Sequence, residues 1–452
     1  MDSRKPKQTP PTAVKPILAL RLRRSHILGG EAHSQDAFAD RSRAMSAFRR
    51  APARHIGPSL LIWPFLGALS ACENGPSDSI LQGETPSYRG TADLTIGELH
   101  GPEPFAFGRV SGLAQDPDGR IYISDSQSDE VRVFGPDGRF LHGFGGSGRG
   151  PGRLKNPCCL AFGSASQLWV REVGNGRYSA FSVGDSSAVF DSTVYHRAMA
   201  DLAPAPLTFD PDGHIVSVVP ARRESPKGFN YLRYHLAPAG EPTRTDTILG
   251  PEPDEVDFLR REQTTSSGRT TVLLSIPFGA EFLHAHRPGG GWATAISSEY
   301  TVSIIIPGSE ATKIRRPGTT GPEFGPDERL AIEGWAERTM NRWAASRKEV
   351  YSLLPSRKPP IRAMYFDQIG RLWVEESVLS GGERSATIYD PEGHVIRRVQ
   401  WPSEVELGPL AWIGEYSALG ISTDNLGVQR VIRLRFAPQY SGESPRAPAP
   451  GG

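Results

Sequence analysis

Two histidines, His284 and His286, stand two residues apart in "EFLHAHRPGG", a spacing that puts both imidazoles on one side of an extended strand. Such a pair can hold a divalent metal, although the sequence names no third ligand; the competing reading is polar lining of a channel. Cys158 and Cys159 are adjacent. Neighbouring strand residues point to opposite sides, so a bond between them needs a strained ring, and they read as two buried, inert thiols. A redox role would require that strained pair. The stretch GFGGSGRGPG carries the spacing G-x-G-x-x-G at Gly143, Gly145 and Gly148. That spacing cradles a dinucleotide only when a strand leads in and a helix leads out. Here Pro151, Gly152 and the extended-looking "LKNPCCLAF" follow, with neither helical periodicity nor an acidic residue placed for a ribose. A glycine-rich turn between two strands is the reading. No G-x-S-x-G, HExxH or phosphate-loop motif occurs.

The elements that would position these residues are β-strands. Among 452 residues there are 40 prolines and 49 glycines against 38% hydrophobic residues, a balance that favours short strands and many turns. The net charge of +1 hides an asymmetry. Residues 1–71 carry 12 Lys and Arg against 4 Asp and Glu, leaving 39 against 46 in the remainder. A mildly acidic body without a basic stripe lacks the footprint of a nucleic-acid binder.

A unit recurs along that body. In "VSGLAQDPDGRIYISDSQSDEVRVFGPDGRFLHGFG", strand-like runs alternate with the hairpin turns DPDG and GPDG, giving four strands per unit. The second strand returns as "RIYIS", "QLWVR", "HIVSV", "WATAI", "RLWVE" and "YSALG", anchored at Ile121, Leu168, Ile215, Ala293, Leu372 and Tyr416. The steps are 47, 47, 78, 79 and 44 residues; the short ones match propeller blades and the long ones carry insertions. The last unit ends with three strands at "VQRVIRLRFAP", and "TADLTIGELHGPEPF" near the start supplies the fourth. The predicted fold is all-β: a six-bladed β-propeller with four-stranded blades over 91–438, its N-terminal strand closing the last blade.

The segments "DPDGRIYISD", "VRVFGPDG" and "GFGGSGRGPG" resemble the NHL-type six-bladed β-propellers, particularly exported bacterial members. The resemblance covers about 350 residues, as six such repeats would. It is strongest over the first two blades. Upstream, Arg49, Arg50 and Arg54 precede the apolar run "IGPSLLIWPFLGALSA", too short for a permanent span. It ends in Leu69, Ser70, Ala71 and Cys72, which resemble the bacterial lipobox. That resemblance implies a lipoprotein signal peptide over 45–71, lipidation of Cys72, a flexible tether over 72–90 and a periplasm-facing protein anchored to the outer or inner membrane. Residues 1–44 read as a disordered or mis-assigned upstream segment, with translation starting at Met45, and 439–452 as a disordered tail.

Links between blades emerge on one face, so both insertions, near 250–275 and 317–360, should decorate the face that holds Gly143 to Gly152. Binding tends to sit on such loops. The second insertion is predicted helical over about 325–356, before blade five, with Ile332, Trp335 or Ala336, Met340, Trp343 and Val350 at helical spacing. Its stripe either packs on its own domain or forms a lid gripping a partner. Arg171 and Glu172, Arg222 and Arg223, and Glu375 and Glu376 occupy equivalent turns and should ring the same face, with Trp335 and Trp343 completing the candidate binding surface.

The first functional reading is a lipid-anchored, monomeric, non-catalytic scaffold that engages a protein or glycan, with no cofactor and no nucleic acid. The alternative is a metal-dependent hydrolase or lyase of the lactonase-like or amidating-lyase-like propeller type, holding calcium or zinc on its axis. A quinone-dependent dehydrogenase stands third.

Overall fold

The computed structural model describes residues 85–164, 166–195, 207–220, 229–236, 242–250, 256, 258–265, 268–408 and 410–439. The upstream segment (1–44), the signal peptide (45–71), Cys72, most of the tether, Arg222, Arg223 and the tail beyond 439 lie outside the described residues.

Strand β1 (Ser87–Ile96) comes first, so regular structure begins inside the stretch expected to be tether. Four-stranded meanders follow. The first contains β2 (Val110–Gln115), β3 (Ile121–Asp125), β4 (Glu130–Phe134) and β5 (Phe140–Gly145). The second contains β6 (Pro157–Ser164), β7 (Gln167–Glu172), β8 (Arg177–Val183) and β9 (Ala188–Tyr195). The third contains β10 (Thr208–Phe209), β11 (Ile215–Pro220), β12 (Phe229–Leu236) and β13 (Pro242–Leu249). A separate hairpin, β14 (Leu259–Thr265) and β15 (Gly268–Leu274), precedes the fourth, made of β16 (Phe282–His286), β17 (Trp292–Ile296), β18 (Thr301–Ile305) and β19 (Thr312–Arg315). Helices α1 (Pro326–Trp343) and α2 (Arg347–Ser352) then interrupt the pattern. It resumes with β20 (Ile361–Phe366), β21 (Leu372–Glu376), β22 (Arg384–Tyr389) and β23 (Val395–Trp401). Finally β24 (Val405–Glu406) and β25 (Trp412–Ile413) pair with β26 (Ser417–Thr423), β26 with β27 (Gln429–Gln439), and β27 with β1. The architecture is that of an all-β propeller.

The repeated turns explain this regularity. At Asp116 and Asp367 the carboxylate accepts from the backbone N–H four residues on, at Arg120 and Arg371, each over 2.9 Å. Gly119 and Gly370 sit at φ 84° and 82°, a left-handed geometry that glycine adopts without strain. The same carboxylates reach the following strand, accepting from the Tyr122 hydroxyl at 3.0 Å and the Trp373 indole at 3.1 Å. Each turn therefore fixes the register of the strand behind it.

The recurring second strands coincide with β3, β7, β11, β17, β21 and β26. Ile121, Leu168, Ile215, Ala293 and Leu372 are fully buried, whereas Tyr416 is 55% exposed. The sixth anchor is thus corrected: β26 starts one residue later, and Ala418 and Leu419 fill the core there.

Consecutive sheets touch throughout. Ser111 Oγ donates to the Pro157 carbonyl at 2.6 Å, joining the first sheet to the second. Gly112 is needed at this contact, because a Cβ there would meet the Cys159 nitrogen at 2.6 Å. Leu207, just before β10, and Ile215 and Tyr234 of the third sheet pack with Trp169 and Tyr178 of the second. The Gly289 N–H donates to Phe209 O at 3.0 Å, and Gln368 N to Ile413 O at 2.9 Å. The circle closes where Leu113 N donates to Leu410 O at 3.1 Å and where Ile96, Val110 and Ile121 pack on Leu419 and Val431. Burial of each such large apolar side chain stabilises the fold by about 1.5–3 kcal/mol.

The two insertions meet each other. Leu259 of β14 packs with Trp335 and Ala336 of α1 and Val350 of α2, and Arg261 donates to Glu349 at 2.6 Å. Both follow the fourth strand of a sheet, which puts them on one face as a joint cap.

Candidate functional site

The glycine-rich stretch is a clamped link. It runs from β5 to β6 with no helix after it, and Gly145, Gly146 and Gly152 lie at φ 102°, 82° and 71°. Arg177 at the start of β8 donates to the carbonyls of Arg149 (2.9 Å), Gly150 (3.2 Å) and Arg153 (2.7 Å). Glu172 holds that guanidinium in place, accepting from Arg177 Nε at 2.7 Å and from Ser179 Oγ. The first sheet repeats the device, with Arg132 donating to Ala106 O at 2.6 Å beside Asp125. Backbone carbonyls here meet a cation, leaving no phosphate cradle.

Glu172 and Arg171 are therefore corrected as partner-facing residues: they are 0% and 1% exposed. Glu375 is buried as well, bonded by Arg384 Nη1 at 2.9 Å, by Arg362 and by Tyr365 at 3.3 Å. Its burial raises its carboxyl pKa, opposed by the Arg362 charge. Trp335 is buried in the cap rather than displayed, while Trp343 is half-buried under Arg342. Among the described residues of the candidate surface, Glu376 faces an opening.

His284 and His286 lie on β16 as expected, His286 buried and His284 half-buried. Burial lowers both pKa values to about 4, His284 adding a charge effect on His286, whose Nδ1 pairs with Thr208 Oγ1 at 2.8 Å. Among the described residues no group of three or more His, Cys, Asp or Glu side chains comes together as a metal site. Cys158 and Cys159, read as free thiols, are joined as a disulfide in the closely packed first strand of the second sheet. A positive φ of 56° at Cys159 lets adjacent side chains turn toward one another despite the strand's alternation.

The opening beside Glu376 is a cleft of about 460 Å³ between the fourth sheet and the β20–β23 sheet. Thr85, Arg316, Thr319, Thr320, Glu376 and Arg398 line it, together with Gly321, Pro360, Ser377 and Val395. The pleat explains why Glu376 is here while Glu375 is not, since successive side chains leave β21 on opposite sides. Glu376 Oε1 accepts from Tyr300 OH, Arg316 Nη1 and Thr387 Oγ1, each over 3.0 Å. The Arg316 guanidinium lies 4.7 Å from the Tyr300 ring centre and 5.5 Å from that of Tyr389. The two phenols bond at 3.2 Å, and burial first, then each other's charge for Tyr300, pushes their pKa values up, so both remain neutral donors.

Sequence reasoning missed Arg316, Arg398 and the threonines. Arg316 stands just before the link expected near 317–360, Thr319 and Thr320 lie within it, and "VIRRVQW" does not reveal which arginine turns inward. Arg397 does, stacking on Tyr88 at 4.8 Å, and Arg398 points out.

No family model matches the chain, and no curated protein does. Among solved structures, it is similar to a candidate exported protein of Bacteroides fragilis (12% identity, TM-score 0.42, covering 78% of this chain and 99% of that one). Virginiamycin B lyase from Staphylococcus aureus aligns at 11% identity and TM-score 0.36, over 72% of this chain and 94% of that one. The PQQ-bound aldose sugar dehydrogenase from Streptomyces coelicolor aligns at 14% and 0.38, over 77% and 98%. Likeness at these scores carries no argument about chemistry; the propeller type rests on the strand pairing described above.

Proposed function

We propose that the chain is a six-bladed propeller of the NHL kind, exported and lipid-anchored at Cys72, that serves as a non-catalytic scaffold for a protein or glycan. The observation that supports this reading is the cleft. It is open, lined by charges and hydroxyls, and bounded by Thr319, Thr320 and Pro360 at the two roots of the helical insertion. Loops rooted on a rigid sheet array suit recognition. No helix among the described residues is long and apolar enough to cross a membrane.

The test uses the purified full chain on a glycan array and, separately, crosslinked in a cell-envelope extract. Thr320→Arg, which fills the cleft, should abolish retention without lowering the unfolding midpoint. Retention unchanged by that variant would place recognition elsewhere and end this reading. The metal-dependent hydrolase or lyase reading requires one tightly held calcium or zinc per chain, which elemental analysis measures directly. Incorporation of labelled palmitate, lost in Cys72→Ser, tests the anchor.

A further inference from the structure

We propose that the cleft beside Glu376 recognises a uronic acid, free or as a unit of an acidic polysaccharide, with Arg398 and Arg316 holding the carboxylate. This rests on the reading of the cleft as a binding site and names its ligand class.

The charge balance carries the inference. Arg316 spends Nη1 on Glu376, and its other donors have no partner among the described residues. The guanidinium lies over the Tyr300 ring at 4.7 Å and near that of Tyr389 at 5.5 Å, contacts that restrict where those donors point. Arg398 is exposed on β23, and its side chain enters no hydrogen bond or ion pair among the described residues. Two guanidinium groups against one carboxylate leave the cleft one positive charge in surplus. A planar carboxylate suits a guanidinium fork.

Glu376 then decides between anions. All its bonds arrive at Oε1, leaving Oε2 with no donor among the described residues. A carboxylate oxygen at the cleft disfavours a dianion such as phosphate more than a single carboxylate, and it accepts from a sugar hydroxyl. Thr85, Thr319, Thr320 and Ser377 add hydroxyls that can both donate and accept. A ligand bearing one carboxylate among several hydroxyls offers a partner to both guanidinium groups, to Glu376 Oε2 and to the lining hydroxyls, and a cleft of about 460 Å³ falls within the range of small-molecule sites.

Calorimetric titration of the purified full chain with D-glucuronate, D-galacturonate, polygalacturonate, D-glucose and inorganic phosphate tests this. A uronate or its polymer should bind at least about tenfold more tightly than glucose, a gap equivalent to about 1.4 kcal/mol. Arg398→Ala should erase that gap with the unfolding midpoint unchanged, and Arg398→Lys should restore part of it. Monomer against polymer distinguishes the free sugar acid from the polysaccharide, either of which supports the proposal. Equal binding of glucose, preference for phosphate, or indifference to Arg398→Ala overturns it. Retention of other glycans or proteins in a cleft-dependent manner, with no uronate binding, overturns this inference alone and leaves the scaffold reading standing.

Discussion

Ala92 and Leu434 lie directly opposite one another on antiparallel neighbours β1 and β27, near the two ends of the described chain. Pairing continues from Ser87 with Gln439 to Ile96 with Val431, interrupted by one bulge between Ala92 and Leu94. Asp93, in that bulge, receives Arg433 Nε at 2.8 Å and Nη2 at 3.0 Å, and Arg433 reaches on to Pro136 O at 2.7 Å. Deleting residues 85–97 should therefore open both the last sheet and its seam with the first. We expect the thermal midpoint to fall by about 10 °C or more and self-association through the freed edge of β27. Differential scanning calorimetry and gel filtration report the two effects.

Arg177 binds three link carbonyls and one buried carboxylate. Arg177→Ala strands Glu172, which is 0% exposed, and should cost about 3–5 kcal/mol. The double variant with Glu172→Gln should recover part of that loss, since the unpaired charge is gone. Urea melts of the single and double variants measure the coupling.

The histidines of β16 predict a pH dependence. Their folded pKa values are depressed from 6.5 to about 4, so the unfolded chain takes up protons first as pH falls. Stability from these groups is complete above about pH 6.5 and is lost progressively down to about pH 4. Each histidine contributes a slope of at most about 1.4 kcal/mol per pH unit. The variant His284→Gln should show a shallower fall in urea midpoint across this window, and an unchanged slope would contradict the buried, neutral assignment.

Trp335 holds the cap together rather than the propeller. Its truncation to Ala removes about 3–5 kcal/mol from the cluster of Leu259, Ala336 and Val350. The loss should be local. Proteolysis and amide exchange should accelerate in 258–274 and 326–352, while the main unfolding transition stays within a few degrees.

The disulfide between Cys158 and Cys159 predicts that neither sulfur is alkylated in the unreduced, unfolded chain. After reduction, mass spectrometry should find two alkyl groups more than before it, both on the peptide that carries Cys158 and Cys159.

Much of the fold was legible because its turns are written in residue types. Asp followed three residues on by Gly recurs at the hairpin turns from Asp116, Asp210, Asp367, Asp390 and Asp424, and five of six anchors fell on fully buried positions. Tyr416 failed because the short pieces β24 and β25 replace a regular first strand, removing the turn that sets the phase elsewhere. The candidate site was less legible. Adjacent charges such as Glu375 and Glu376 look alike in sequence, yet the pleat buries one against Arg384 and sends its neighbour into the cleft. Glu172 was misjudged for a related reason: its partner, Arg177, lies across a turn whose purpose is to hold a link arriving from another sheet.

The start of β1 has a mechanical meaning. Ser87, Tyr88 and Arg89 pair in parallel with Arg398, Val399 and Gln400 of β23 while also pairing with β27, so one strand is shared by two neighbouring units. A pull applied along that strand from its leading end would load these bonds in shear, all at once, because ladder bonds run across the strand direction. A molecule held by a leash at this end would resist tugging far better than one whose first strand could be peeled away bond by bond.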